Sequence, residues 1–128
     1  MKILVGTDRS ETATRAVEWA AEMARRYEAE LVAVQVGGDR SALEQYLAKV
    51  APGARALVVE GEEPAAAIVA ASESERADVL VVGNVGMSGR KEFLLGNIPN
   101  RVSHNARCTV VIVNTAETGG SRLPWRRK

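Results

Sequence analysis

Short apolar runs alternate with helical stripes along nearly the whole chain, and few architectures accept that order. Ile3 to Val5, Glu30 to Val36, Arg55 to Val59, Asp78 to Val82 and Thr109 to Val113 are uninterrupted or nearly uninterrupted apolar segments rich in β-branched residues. Such runs read as strands buried on both faces. Between them, Ser10 to Tyr27 carries apolar residues at Ala13, Ala16, Val17, Ala20, Ala24 and Tyr27, the stripe of an amphipathic helix with Ser10 as its N-cap. Ser41 to Val50, Pro64 to about Glu75, and Ile98 to Arg107 read as three further helices, Pro64 sitting in a first turn where its missing N–H is harmless. The order βαβαβαβαβ predicts an open parallel five-stranded sheet with helices on both faces, because parallel strands need crossovers and those crossovers are right-handed.

With 128 residues the chain has room for one domain, enough to bury about two thirds of its unfolded surface in one core. Seventeen basic against 16 acidic residues leave a formal net charge of +1, so no general attraction for nucleic acid or anionic membrane is expected. A single cysteine excludes an intramolecular disulfide and a cysteine-based metal cage. The apolar run after Met1 ends before Asp8, which makes it a strand rather than a signal peptide, and no segment reaches the ~20 apolar residues that cross a bilayer. The expected location is the cytoplasm. Residues 116–128, with Gly119-Gly120-Ser121 and a basic end, are expected to form a flexible tail outside the domain of residues 1–115.

The chemistry concentrates in the loop after the fourth strand. Gly83 to Asn97 reads GNVGMSGRKEFLLGN, a glycine-rich loop that leaves a strand and enters a helix. Glycine lets backbone amides turn inward without a Cβ in the way, and a helix start adds unpaired N–H groups, so the loop can cradle phosphate or can be a simple surface turn. In an open α/β sheet ligands sit beyond the carboxyl ends of the strands where the strand order reverses, and strands one and four are natural neighbours there. Gly6-Thr7-Asp8 would then face Gly83 to Gly89 across one crevice. Asp8 is also an ordinary helix-entry residue, favoured near the positive end of the helix dipole.

Gly83, Gly86 and Gly96, spaced as glycine, two residues, glycine, nine residues, glycine, resemble the motif of the universal stress protein family, and the likeness extends over about Met1 to Thr115. The resemblance implies a Rossmann-like fold of the adenine nucleotide alpha hydrolase type with strand order 3-2-1-4-5. It implies ATP in the crevice, with Mg2+ or Mn2+ held mainly by the phosphates and no direct protein ligand to the metal. Carried over by position, the binding residues are Gly6, Thr7 and Asp8; Val36 near the adenine; Gly83, Asn84, Val85, Gly86, Met87, Ser88, Gly89 and Arg90 on ribose and phosphate; and Gly96, Asn97 and Ile98 on the phosphates. It further implies a stress-response sensor or adaptor with a protein partner, dimerised through the edge strand Thr109, Val110, Val111, Ile112 and Val113. An uncovered apolar edge of this kind pairs with something.

Two residues, Asn97 and Arg9, depart from the family pattern. Asn97 stands where a serine or threonine hydroxyl is usual; its amide keeps a hydrogen-bond donor with altered reach. Arg9 stands where glycine is common, either swung to solvent or adding a cation near the crevice. Pro99 removes one amide from the first turn of the last helix, a loss that Arg90 and Lys91 could offset with charge. A member that no longer binds ATP and acts as an interaction dimer, and a cyclic-AMP-binding member, are the rival readings.

Enzymatic constellations are weaker. His104 is the only histidine and with Asp8, Ser88 and Ser103 invites a triad, but it lies well into the last helix and no Gly-x-Ser-x-Gly elbow is present. There is no Gly-Lys-Ser/Thr sequence and no Gly-x-Gly-x-x-Gly after the first strand, which argues against a kinase or dehydrogenase. No general base is placed, so at most slow ATP hydrolysis is expected. Cys108 reads as a structural thiol, and Trp19 and Trp125 lack the basic and aromatic interleaving of a single-strand reader.

Overall fold

The structure, a computed structural model, describes residues 1–83, 102 and 105–114. Within them run β1 (Lys2–Gly6), α1 (Glu11–Tyr27), β2 (Glu30–Val36), α2 (Arg40–Val50), β3 (Arg55–Val59), α3 (Pro64–Ser74), β4 (Val79–Gly83) and β5 (Thr109–Val113). The five strands form one parallel sheet in the order β3-β2-β1-β4-β5. This is the expected Rossmann-like α/β arrangement, with the order reversing between β1 and β4.

Successive side chains of a strand point to opposite faces, so a run without polar interruptions needs a layer on each side. Ile3, Val5, Leu31, Ala33 and Val81 pack with Ala16, Val17 and Ala20 of α1 and Leu43 and Leu47 of α2. Leu4, Val32, Val34, Leu80 and Val82 pack with Ala65, Ile68 and Ala71 of α3 and with Val102. Val102 and Asn105 are helical, and Ala106 N–H donates to the Val102 carbonyl at 2.9 Å, the spacing of an α-turn ahead of β5.

The helix ends follow local chemistry. Ser10 Oγ accepts from Ala13 N–H at 3.1 Å and Asp39 Oδ2 from Ala42 N–H at 3.1 Å, each satisfying one of the unpaired amides of a first turn. Asp39 is therefore the cap of α2, which starts at Arg40, one residue before the sequence expectation. Asp78 lies outside β4. Its N–H donates to Lys2 O at 2.8 Å while Oδ2 accepts from Lys2 N–H at 2.8 Å, which fixes the strand entry one residue later.

Candidate functional site

The carboxyl ends of β1, β2 and β4 meet at one edge of the sheet. Gly6 of β1 is level with Val34 of β2, and Val5 is level with Val81 of β4. Thr7 and Asp8, Val36, and Gly83 therefore all lie within about two residues of the same line, on either side of the reversal. Parallel strands guarantee this: every carboxyl end faces the same way, and at the reversal the two adjoining crossovers depart to opposite faces and leave a gap between them.

The turn after β1 is held rigidly. Thr7 is buried, and its N–H donates to Val34 O at 2.9 Å, one hydrogen bond past the last residue of β1. Thr7 Oγ1 accepts from Arg9 N–H at 3.0 Å, and Asp8 Oδ1 accepts from Ser10 N–H at 2.9 Å. These side-chain bonds to backbone two residues on are Asx-type and ST-type turns. They fix the Asp8 carboxylate, and its Oδ2 has no hydrogen-bond partner among the described residues. Tyr46 of α2 adds a brace to the start of α1: its hydroxyl lies 2.6 Å from Thr14 Oγ1. Burial pushes the Tyr46 phenol above its usual value, against the opposing influence of the nearby Thr14 and Thr7 hydroxyls.

Arg9 lies at φ 68, the left-handed region, which explains why glycine suits this position. The residue is exposed, and its side chain is tied to the end of β2. Arg9 Nε donates to Gln35 Oε1 at 3.0 Å, and Gln35 Nε2 donates to Gly37 O at 2.9 Å. Sequence reasoning overlooked Gln35 and Tyr46. For Gln35 a signal existed: a lone polar residue in ELVAVQV must find partners if the strand is buried, and Gln35 is 4% exposed. Tyr46 carried none, since a tyrosine at that helical spacing reads as ordinary packing.

Of the expected site residues, Gly6, Thr7, Asp8, Val36 and Gly83 come together at this edge. Asn84, Val85, Gly86, Met87, Ser88, Gly89, Arg90, Gly96, Asn97 and Ile98 lie outside the described residues, as do Lys91, Pro99, Ser103, His104, Trp125 and the basic tail. Among the described residues no three His, Cys, Asp or Glu side chains gather to hold a metal, and no helix is long and apolar enough to cross a membrane. Cys108 packs partly buried beside the α3 layer, and desolvation raises its thiol above the usual value, the opposite of a reactive thiolate. Trp19 packs against the α1 side of the core.

Comparison with known proteins agrees with this fold. The model of the Universal stress protein family matches residues 1–56 and 37–114. The universal stress protein MJ0531 of Methanocaldococcus jannaschii is 28% identical, the match spanning 88% of this chain and 81% of that protein. The universal stress protein YxiE of Bacillus subtilis is 26% identical over 88% of this chain and 97% of its own length. Among solved structures, a universal stress protein in complex with cAMP superposes with a TM-score of 0.73 at 32% identity, covering 91% of this chain and 98% of that one. The chain belongs to the universal stress protein family.

Proposed function

We propose that this chain binds an adenine nucleotide, ATP in the first instance, at the carboxyl edge between β1 and β4, and serves as a stress-response sensor or adaptor. The observation that carries the reading is the meeting of a fixed carboxylate, Asp8, with the glycine that ends β4, Gly83, at the reversal of strand order. The donor set fits the ligand. Asp8, with Oδ1 held by Ser10, is an acceptor for nucleoside hydroxyls, and Gly6, Thr7 and Val36 line the base and ribose side. Gly83, Asn84, Val85, Gly86, Met87, Ser88, Gly89 and Arg90 would serve ribose and phosphate, and Gly96, Asn97 and Ile98 the phosphates, on the sequence pattern. Mg2+ or Mn2+ would ride on the phosphates and offset their charge, since Asp8 is a single carboxylate. The nucleotide acts here as a bound signal, and no residue is assigned a catalytic role.

A second reading has its own support: the 32% identical neighbour was solved with cAMP, so a cyclic nucleotide with fewer phosphate contacts is the alternative occupant. The protein is proposed to work in the cytoplasm as a homodimer joined through β5. Denaturing the purified chain and analysing the supernatant for released nucleotide, before and after soaking with ATP and magnesium or with cyclic AMP, separates the readings. ATP retained supports the first; cyclic AMP alone supports the second. Neither retained, with no heat at millimolar ligand, removes both and leaves an interaction dimer.

A further inference from the structure

The last residue of β1 is a glycine with an interior reason to be one. Glycine in a strand loses more chain freedom than other residues and packs no side chain. The φ of Gly6 lies outside the left-handed region, so backbone geometry does not call for it. Space does. A Cβ there would stand 3.2 Å from Ile68 Cδ1 and 3.8 Å from Ile68 Cγ1, with Val82 Cγ1 behind at 3.9 Å. Ile68 has little room to give: it is 1% exposed, β-branched, and packed in one layer with Leu4, Val34 and Val82.

The same helix meets a second glycine one residue earlier. A Cβ on Gly61, in the connection from β3 to α3, would stand 2.9 Å from Ala67 Cβ. Ser10 and Asp39 fix the starts of α1 and α2 through bonds to first-turn amides, whereas α3 begins without a side-chain cap bond from Glu63. Close approach at Ala67 and Ile68 therefore seats the first half of α3 against the carboxyl edge of the sheet, where a cap seats the other two helices.

We infer that Ile68 is a positioning residue for the end of β1. Its δ-methyl fills the space that a side chain at position 6 would need, and the fit fixes the strand end from which Thr7 and Asp8 depart. Position 6 is then glycine for the approach of α3 and not for the approach of a ligand. The effect on the crevice rests on the adenine-nucleotide reading above; the packing does not.

The test is a cycle of Gly6→Ala, Ile68→Val and the double variant, read by denaturant midpoint and by calorimetric titration of ATP with magnesium. Valine lacks Cδ1 and leaves Cγ1 at an ordinary contact of 3.8 Å. At an uncrowded strand position alanine for glycine raises stability, chiefly by restricting the unfolded chain. Here Gly6→Ala should lower the midpoint at unchanged slope, and in the Ile68→Val background the same change should be neutral or raise it. ATP affinity should fall several-fold in Gly6→Ala and return in the double variant to within about twofold of Ile68→Val alone. If Gly6→Ala by itself does not fold, a folded double variant supports the fit and an unfolded one overturns it. Additive midpoints, or a raised midpoint in Gly6→Ala, would overturn the positioning role. An ATP loss equal in both backgrounds would do the same, since it marks a glycine that serves the ligand. Failure of the unaltered chain to bind ATP would instead remove the nucleotide reading, and the midpoint cycle would still decide the fit.

Discussion

Arg9 Nε donates to Gln35 Oε1 at 3.0 Å, joining the turn after β1 to the buried end of β2. The bond ties the turn after β1 to strand β2, making Arg9 part of the scaffold. Gln35 is tied at both ends of its amide, so the crevice margin on the β2 side is set by side-chain geometry as well as by the sheet.

Tyr46 of α2 braces the first turns of α1. Tyr46→Phe removes the hydroxyl that meets Thr14 at 2.6 Å and should lower stability by about 1 kcal/mol. Its raised phenol value also has a sign. The folded form holds the proton more tightly, so this contribution is full below the ordinary value of 10 and is lost as pH rises through the folded one. Thermal melts from pH 9 upward should show less alkaline destabilisation in the variant than in the unaltered chain.

At the far end of α1, Glu28 sits at φ 53, ψ 48, with its N–H directed at Arg25 O and Ala29 N–H donating to Ala24 O at 2.8 Å. This is a Schellman ending with glutamate in glycine's place. Glu28→Gly should stabilise the protein by roughly 0.5–1 kcal/mol, read as a higher denaturant midpoint at unchanged slope. A lower midpoint would show that the left-handed geometry carries no strain.

The opposite edge of the sheet carries an ionic network. Glu75 accepts from Arg55 and from Lys2 Nζ at 3.2 Å, and Arg55 Nε lies 3.3 Å from Glu30 Oε2. The hydrogen bond from Arg55 holds the Glu75 carboxyl below its ordinary value of 4.5 against desolvation by burial, with a lesser contribution from the Lys2 bond. A depressed carboxylate stabilises the fold above its unfolded value and loses that contribution as pH falls through the folded one. Melting temperature should therefore decline from about pH 4.5 downward. Glu75→Gln should flatten that decline and be less stable at neutral pH; an unchanged acid limb would remove Glu75 from it.

Strand β5 forms one edge of the sheet, and Ile112 on it is 45% exposed while Val111 packs against the core and Val113 is buried. Ile112 is thus the residue to alter without disturbing the interior. Ile112→Lys should convert the proposed dimer to a monomer in light scattering while leaving the melting temperature of a dilute sample nearly unchanged. A persistent dimer would move the interface away from β5.

Most of the fold was legible because one periodicity governs it. Val32 and Val34 face one layer while Leu31 and Ala33 face the other, so an apolar run with no polar face already demands two helical layers. The convergence of Asp8 and Gly83 then followed from parallel topology alone. What was hidden lies in side-chain pairs remote in sequence. Arg9 and Gln35 are 26 residues apart, and Thr14 and Tyr46 are 32 apart; neither pair has a local pattern. The boundaries that shifted, of helix α2 at Arg40 and strand β4 at Val79, did so because Asp39 and Asp78 use their carboxylates on backbone amides rather than joining the adjoining element.

The most direct test of nucleotide binding at the β1–β4 edge is a titration of ATP with magnesium into the unaltered chain and into Gly83→Asp, both checked for native circular dichroism. Gly83 is buried at the end of β4, and aspartate would put a side chain and a negative charge where phosphate or ribose is proposed to lie. Saturable binding by the unaltered chain, abolished in the folded variant, is the expected result. Equal affinity of the two proteins for ATP would contradict the assignment of the site.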